Sequence, residues 1–427
     1  MKLTRVCAFS TMTVLAVSMS GAVSSSASAA TAGNNHQAVA SQAKAVDSKA
    51  LYERILKKLP ADWQARRDAA RQRVGIEESP VTAVLKTKLS KMTAASKGRS
   101  AAAIDPSDYE CGPTKLDAYV DKILEPVDSF NLFLIQLLGG LDVPTYDAIL
   151  NGTPKGAGFQ LLPAYKDGLT STFGTAQRFW DVRLNNVQLM AMHGGMLTDV
   201  NRVASVVQFM YGVGPADATD IAKDLITMVE SDPALKNGDN PIFTLNAFAF
   251  SGEGDPDPVI RKLKDKMVFG DGILDALKSI GLNKVGPNAV LGHEMSHHVQ
   301  YEDNLFDSPL TGAEATRRTE LMADAFGTYF VTHKKGLGMK PAQILQVEES
   351  FYDVGDCQFS SPGHHGTPNQ RKAASSWGAA TVAFSNNPNK VMPSLKLAAK
   401  FDKVLPELVK PDAPTSLNAY RNKIAQP

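Results

Sequence analysis

Residues 290–303 read VLGHEMSHHVQYED, so three histidines surround a single glutamate and two further acids follow directly. On a helix at about 100° per residue, His293 and His297 differ by about 40° and lie one turn apart on a single face. Two imidazoles so placed offer bidentate geometry to a tetrahedral metal ion. Glu294 sits about 60° from His297. That is close enough to reach a water on such an ion without being a ligand. His298 falls about 100° from His297 and about 140° from His293, on the side of Leu291 and Met295. It reads as a hydrogen-bonded core histidine. His36, His193 and His333 have no acidic or histidine companions at ligand spacing and read as structural.

A catalytic zinc usually has three protein ligands and one open position for water. Three acids compete for the third place. Asp303 follows His293 by ten residues, a spacing used in one branch of such sites, but that branch needs a glycine where Gln300 stands. Glu314 follows SPLTGA and has no evident partner. Glu320 opens ELMADAFGTYF, a helical stretch in which Asp324 falls one turn later on the same face. Their neighbours Leu321, Met322, Ala323, Ala325 and Phe326 are apolar, so the helix reads as buried, and a buried acid needs a cation. Glu320 as ligand, with Asp324 accepting the other N–H of a ligand histidine, makes one working unit. Glu320 is favoured, and Asp303 stands as the alternative.

The motif needs a helix beneath it, and Gly286-Pro287-Asn288 is a helix-start signal: a breaker, a first-turn proline and a capping asparagine. Upstream, PIFTLNAFAF (241–250) and KMVFGDGIL (266–274) read as two strands, the second with a Gly-Asp-Gly turn. Residues 115–235 read as mostly helical. FNLFLIQLLGGL (130–141) is intensely apolar but too short for a membrane span and fits a buried core helix. The last 30 residues read as an amphipathic helix with a polar tail.

Composition bounds the class. The 427 residues are 43% hydrophobic and 21% charged with a formal net charge of +1, ordinary for a soluble globular protein. Lys2 and Arg5, a diluted apolar run and Ala27-Ser28-Ala29 read as a signal peptide over 1–29. Its removal takes two positive charges and lowers the net charge from +1 to −1. That balance gives no electrostatic case for nucleic acid. The expected location is secreted or periplasmic, with no stable membrane span after cleavage. Cys111 and Cys357 then remain, and export with an even count favours one disulfide between them; the alternative is Cys111 as a free, metal-binding thiolate. Residues 51–100 carry twelve Lys/Arg against five Asp/Glu. They read as a solvated amphipathic helix with Leu51, Ile55, Leu56 and Leu59 on one stripe. The alternative is a prosegment covering residues 297–356, where ten acids face five bases.

Three segments together resemble a known family. VLGHEMSHHVQ, then TELMADAFGTYF, then GHHGTPNQRKAASSWG is similar in order and spacing to the bacterial neutral zinc metallopeptidases, zincins of the gluzincin type. NAFAF and MVFGDGIL look like the edge strand and following strand of that broader group. The resemblance covers about residues 240–380. Ser296 replaces a commoner glycine, and ADAFG replaces the usual ADCFAG; neither change removes a ligand. The resemblance implies Zn2+ held by His293, His297 and Glu320, Glu294 as the acid/base and Asp324 behind a ligand histidine. In HHGTPNQR (364–371), His365 is a candidate donor to a developing oxyanion, with Arg371 holding the segment by an ion pair. The competing reading is a Gly/Pro turn whose histidine and arginine only fix the loop, with His364 exposed.

The expected fold is α+β and predominantly helical, a zincin-like metallopeptidase domain with a small β-sheet preceded by a helical N-terminal region. The expected division is 1–29 signal peptide, 30–110 basic segment, 111–235 helical region, 236–385 zincin-like domain and 386–427 C-terminal helix and tail. The expected activity is hydrolysis of a peptide or protein substrate by zinc-activated water. The rival is an exported zinc-binding or cell-surface interaction protein that does not cleave, against which an intact Glu294 argues.

Overall fold

Three short strands and the helices around them organise the chain. The computed structural model describes residues 46–74, 114–152, 160–353 and 366–424, which fall in one compact unit, Ala45–Pro427. The calls on residues 1–29, His36, Cys111, Cys357, His364 and His365 lie outside the described residues. In order come α1 (Ser48–Leu56), α2 (Trp63–Val74), α3 (Lys115–Leu124), α4 (Ser129–Leu137), α5 (Val143–Leu150) and α6 (Pro163–Phe179). Strand β1 (Gln188–Met192) precedes α7 (Val200–Tyr211) and α8 (Pro215–Glu230), and then come β2 (Ala247–Phe250) and β3 (Lys266–Gly270). The remainder is α9 (Asp271–Ser279), α10 (Gly286–Glu302), α11 (Ala313–Thr332), α12 (Pro341–Asp353), α13 (Pro368–Ala383), α14 (Ser394–Leu408) and α15 (Arg421–Ile424). The class is predominantly helical α+β.

The sheet order is β1-β3-β2, with β1 parallel and β2 antiparallel to β3. Met192 pairs with Gly270, and Phe250 with Lys266. β1 interrupts the region expected to be mostly helical. Its QLMAM is five residues long and carries no β-branched side chain, so neither period nor propensity announces it. In 241–250 only the last four residues form a strand. Asn240 Oδ1 accepts from Ile242 N–H, and Pro241–Phe243 makes a 3₁₀ turn instead. The Gly-Asp-Gly segment is a helix start, not a turn: Gly270 is the N-cap of α9 and Asp271 occupies its first turn, where a carboxylate suits the helix dipole.

The apolar run 130–141 packs as expected of a core helix, with Leu132, Leu134 and Ile135 of α4 buried. Among the described residues no single helix is long and apolar enough to cross a membrane. The described part of the basic segment docks by its apolar stripe, with Leu51, Ile55 and Leu59 buried and Leu56 half-buried. Its cations meet acids of other elements. Arg54 forks onto Asp224 at 2.6 and 3.2 Å, Lys58 reaches Asp220 at 2.9 Å, Arg71 pairs with Asp142, and Arg73 with Asp257.

What positions the site is the stacking of α10, α11 and α13. Helices hydrophobic or small on every side belong in an interior, and α10 is buried without interruption from Leu291 to Gln300, α11 from Arg317 to Val331. The two touch at glycines. A Cβ on Gly292 would lie 3.1 Å from Gly327 O. Across the other side of α11, a Cβ on Gly378 of α13 would overlap Ala325 O. Close crossings of this kind let side chains one turn away reach the neighbouring helix.

Candidate metal centre

α10 begins at Gly286 with Pro287 in its first turn, and no side chain caps it. Asn288, expected as the cap, accepts from Thr172 Oγ1 of α6 at 2.8 Å and ties the helix to its neighbour. Ser296 donates to Gly292 O at 2.7 Å and so needs no external partner.

His293 and His297 project from α10 with Nε2 atoms 3.1 Å apart. Glu320 comes from α11: its Oε2 lies 3.3 Å from His293 Nε2 and its Oε1 lies 3.2 Å from His297 Nε2. All three side chains are buried. A tetrahedral ion with bonds of about 2.0–2.1 Å separates its ligand atoms by roughly 3.3–3.4 Å. The three separations, two of them to different oxygens of the one carboxylate, are therefore each close to a ligand–ligand edge of such a tetrahedron. Two imidazoles and a carboxylate form a donor set for a divalent transition-metal ion.

Each histidine is turned by its other nitrogen. His293 Nδ1–H donates to Asp324 Oδ1 at 2.8 Å, one turn along α11 from Glu320. Arg371 of α13 forks onto the same carboxylate, Nε to Oδ2 at 2.8 Å and Nη2 to Oδ1 at 2.7 Å. His297 Nδ1–H donates to Gln300 Oε1 at 2.8 Å, and the amide orientation follows because Gln300 Nε2 donates to Thr319 O at 2.8 Å. Both tautomers thus leave Nε2 with its lone pair aimed at the common point.

The same acids favour positive charge at this point, which the imidazoles themselves take up when no cation is there. Burial pushes the His293 imidazole down, but the hydrogen bonds and charges of Asp324 and Glu320 outweigh it and hold the group at about 10. At His297 burial also opposes charge, and Glu320 again outweighs it. With both imidazoles neutral, Glu294, Glu320 and Asp324 against Arg371 would carry two net negative charges in a buried space, which a divalent cation would balance.

His298, on the opposite side of α10, is buried with Nε2 3.1 Å from Lys266 O, and burial lowers it to about 3. Asp303 lies at the C-cap of α10, outside the ligand group, and Glu314 sits exposed in the first turn of α11. His193, read as having no acidic companion, meets Asp271 at 2.5 Å across the ends of β1 and β3; sequence spacing of 78 residues hid that pair. A second acidic group joins Glu253, Asp265 and Glu302, but Asp265 is already bonded by Ser251 and Asn186.

Two supports were missed in the sequence. Gln300 was read only as a missing glycine, although an amide three residues after a ligand histidine shares its helix face. TPNQ (367–370), for which a Gly/Pro turn is one of the two readings above, forms a capping box: Thr367 accepts from Gln370 N–H at 3.2 Å and Gln370 Oε1 accepts from Thr367 N–H at 3.0 Å. The S/T-x-x-Q pattern with proline at the first position was the available signal. Starting α13 there sets Arg371 in its first turn, facing Asp324. Comparison with family models, curated proteins and solved structures finds no match to this chain.

Proposed function

We propose that the chain is an exported zinc metallopeptidase with a zincin-like domain. The observation that supports it most is the triangle of His293, His297 and Glu320, with Glu294 next to the first ligand on the same helix. Zinc in that triangle would supply Lewis acidity to a water and to the scissile carbonyl, lowering the water's pKa toward about 7.

Glu294 takes the proton from the attacking water on its carboxylate and hands it to the departing amine nitrogen. Asp324 and Gln300 keep the two imidazoles in the tautomer that faces the reaction. Arg371 holds the Asp324 side chain in place through two hydrogen bonds. His365 is the proposed donor to the developing oxyanion. β2 pairs with β3 on one side only among the described residues, and α10 packs against it. A substrate backbone laid along that edge would gain main-chain hydrogen bonds in the manner of an added strand.

The test is a diverse peptide pool scored by mass spectrometry after incubation with the zinc-loaded chain and with Glu294→Gln. Cuts made only by the wild type are expected, with equal zinc in both. Zinc retained by both with no cut by either would replace this reading by the non-cleaving zinc-binding one. Export through residues 1–29 and a Cys111–Cys357 disulfide belong to the same proposal; the mass of the secreted chain, with and without reduction, checks both.

A further inference from the structure

The chain leaving α10 carries an aromatic ring back beside His297. Asn304 adopts the left-handed conformation (φ 54°), and Asp307 N–H closes onto Asn304 O at 3.2 Å. Leu305 N–H returns to Gln300 O at 2.9 Å, and Leu305 O accepts from Arg318 Nη1 at 2.6 Å. That guanidinium is buried and forked onto Asp402 at 2.7 and 2.8 Å. The turn is therefore anchored through the backbone of Leu305.

Phe306 is the side chain this turn presents. It lies nearly parallel to Tyr301, with centroids 4.8 Å apart and planes 20° apart. The His297 ring is 6.3 Å away at 27°. Phe306 nevertheless stays 43% exposed. A phenyl ring that served only to clasp the turn would gain most by burial. Here polar backbone bonds hold it in place while one face is left to solvent, beside a histidine whose far nitrogen belongs to the ligand triangle.

We propose that Phe306, backed by Tyr301, is the floor of a subsite that takes an aromatic or large aliphatic side chain of the substrate next to the bond that is cut. The inference rests on the metallopeptidase reading and adds the substrate class. The phenyl centroid lies 6.3 Å from that of the imidazole of His297, one of the residues that would hold the metal. A side chain flanking the scissile carbonyl spans that distance. Offset stacking at 4.5–7 Å adds to the burial of both rings, so an aromatic guest gains more than an aliphatic one of equal size.

Two zinc-binding probes test it without requiring turnover: acetohydroxamate and 3-phenylpropanohydroxamate, titrated calorimetrically into the zinc-loaded full chain, Phe306→Ala and Phe306→Leu. The phenyl probe is expected to bind wild type about tenfold more tightly than acetohydroxamate. Phe306→Ala should bring that ratio near one, with acetohydroxamate affinity and melting temperature unchanged, and Phe306→Leu should retain part of it. Equal affinity of the two probes for wild type, or an unchanged ratio in Phe306→Ala, overturns the subsite alone. Equal loss of both probes in Phe306→Ala assigns the ring a structural role and also overturns it. A chain that keeps no zinc on dialysis and binds neither probe removes the metallopeptidase reading, and the subsite falls with it.

Discussion

Gly327 of α11 stands so close to His293 of α10 that a Cβ on the glycine would lie 2.8 Å from the histidine's amide nitrogen. Only an absent side chain allows that approach. One and two helical turns back along α11 from the contact, Asp324 reaches His293 Nδ1 and Glu320 reaches both Nε2 atoms. Gly327→Ala should therefore separate the helices and act on the metal site from a position that touches no ligand side chain. Overpacking of this sort costs about 1–3 kcal/mol. Thermal unfolding of the metal-free chain should show that loss, and competitive zinc titration should show weaker binding as well. Unchanged zinc affinity would mean that the helix spacing does not set the triangle.

Asp324 is fully buried between a histidine and an arginine. Asp324→Asn keeps its volume but leaves the Arg371 guanidinium without its counter-charge, a change worth about 3–5 kcal/mol when one partner of a buried pair is removed. It also weakens the orientation of His293, for which about 10–100-fold in metal affinity is expected. Guanidinium-induced unfolding and zinc titration read the two effects separately. The double variant Asp324→Asn, Arg371→Met should recover stability while leaving zinc affinity low; recovery of both would assign Asp324 to stability alone.

Gln300 has the narrower task. Gln300→Leu removes the acceptor for His297 Nδ1–H and the donor to Thr319 O in a buried place. Zinc affinity should fall about tenfold or more, and pH titration of His297 by NMR in the metal-free chain should show an altered tautomer. If affinity stays within twofold, the ligand does not depend on this amide.

Glu348 of α12 predicts a pH effect on stability apart from the site. It is fully buried, and neither carboxylate oxygen has a hydrogen-bond partner. Burial raises it to about 7, with Ser376 and Lys372 offsetting only part, since the Ser376 hydroxyl already donates to Thr415 O at 2.8 Å. The folded state thus binds this proton more tightly than the unfolded chain does. Stability from this group is complete below about 4.5, falls as pH rises toward about 7 and is level above it. The loss is on the order of 3 kcal/mol. Glu348→Gln should melt higher than wild type at pH 8 and about equally at pH 4.5. Parallel melting curves across that range would contradict the assignment.

Some of this was legible from the order of residues and some was not, for reasons that differ by element. The face shared by His293 and His297 follows from helical period alone, because ligand pairs within one turn need no tertiary information. The same period put Asp324 one turn from Glu320 and His298 off the ligand face. Leu51, Ile55 and Leu59 showed their stripe, and the apolar composition of 130–141 showed its burial. β1 escaped because five residues of Gln, Leu, Met, Ala and Met carry no period of their own. The sheet that stabilises it is supplied by β3, 78 residues later at the Met190–Val268 pair.

By itself, then, the sequence determined which side chains share a helix face and which helices are apolar enough to be interior. Folding decided the rest: that Glu320 and not Asp303 joins the two histidines, that Asp324 serves His293, that Arg371 serves Asp324, and that Phe306 returns over His297. Those outcomes depend on distances between helices, which are set by the glycine contacts at 292, 327 and 378 and by a cap at Thr367. Contacts across such separations arise from packing of whole surfaces, and no local period encodes them.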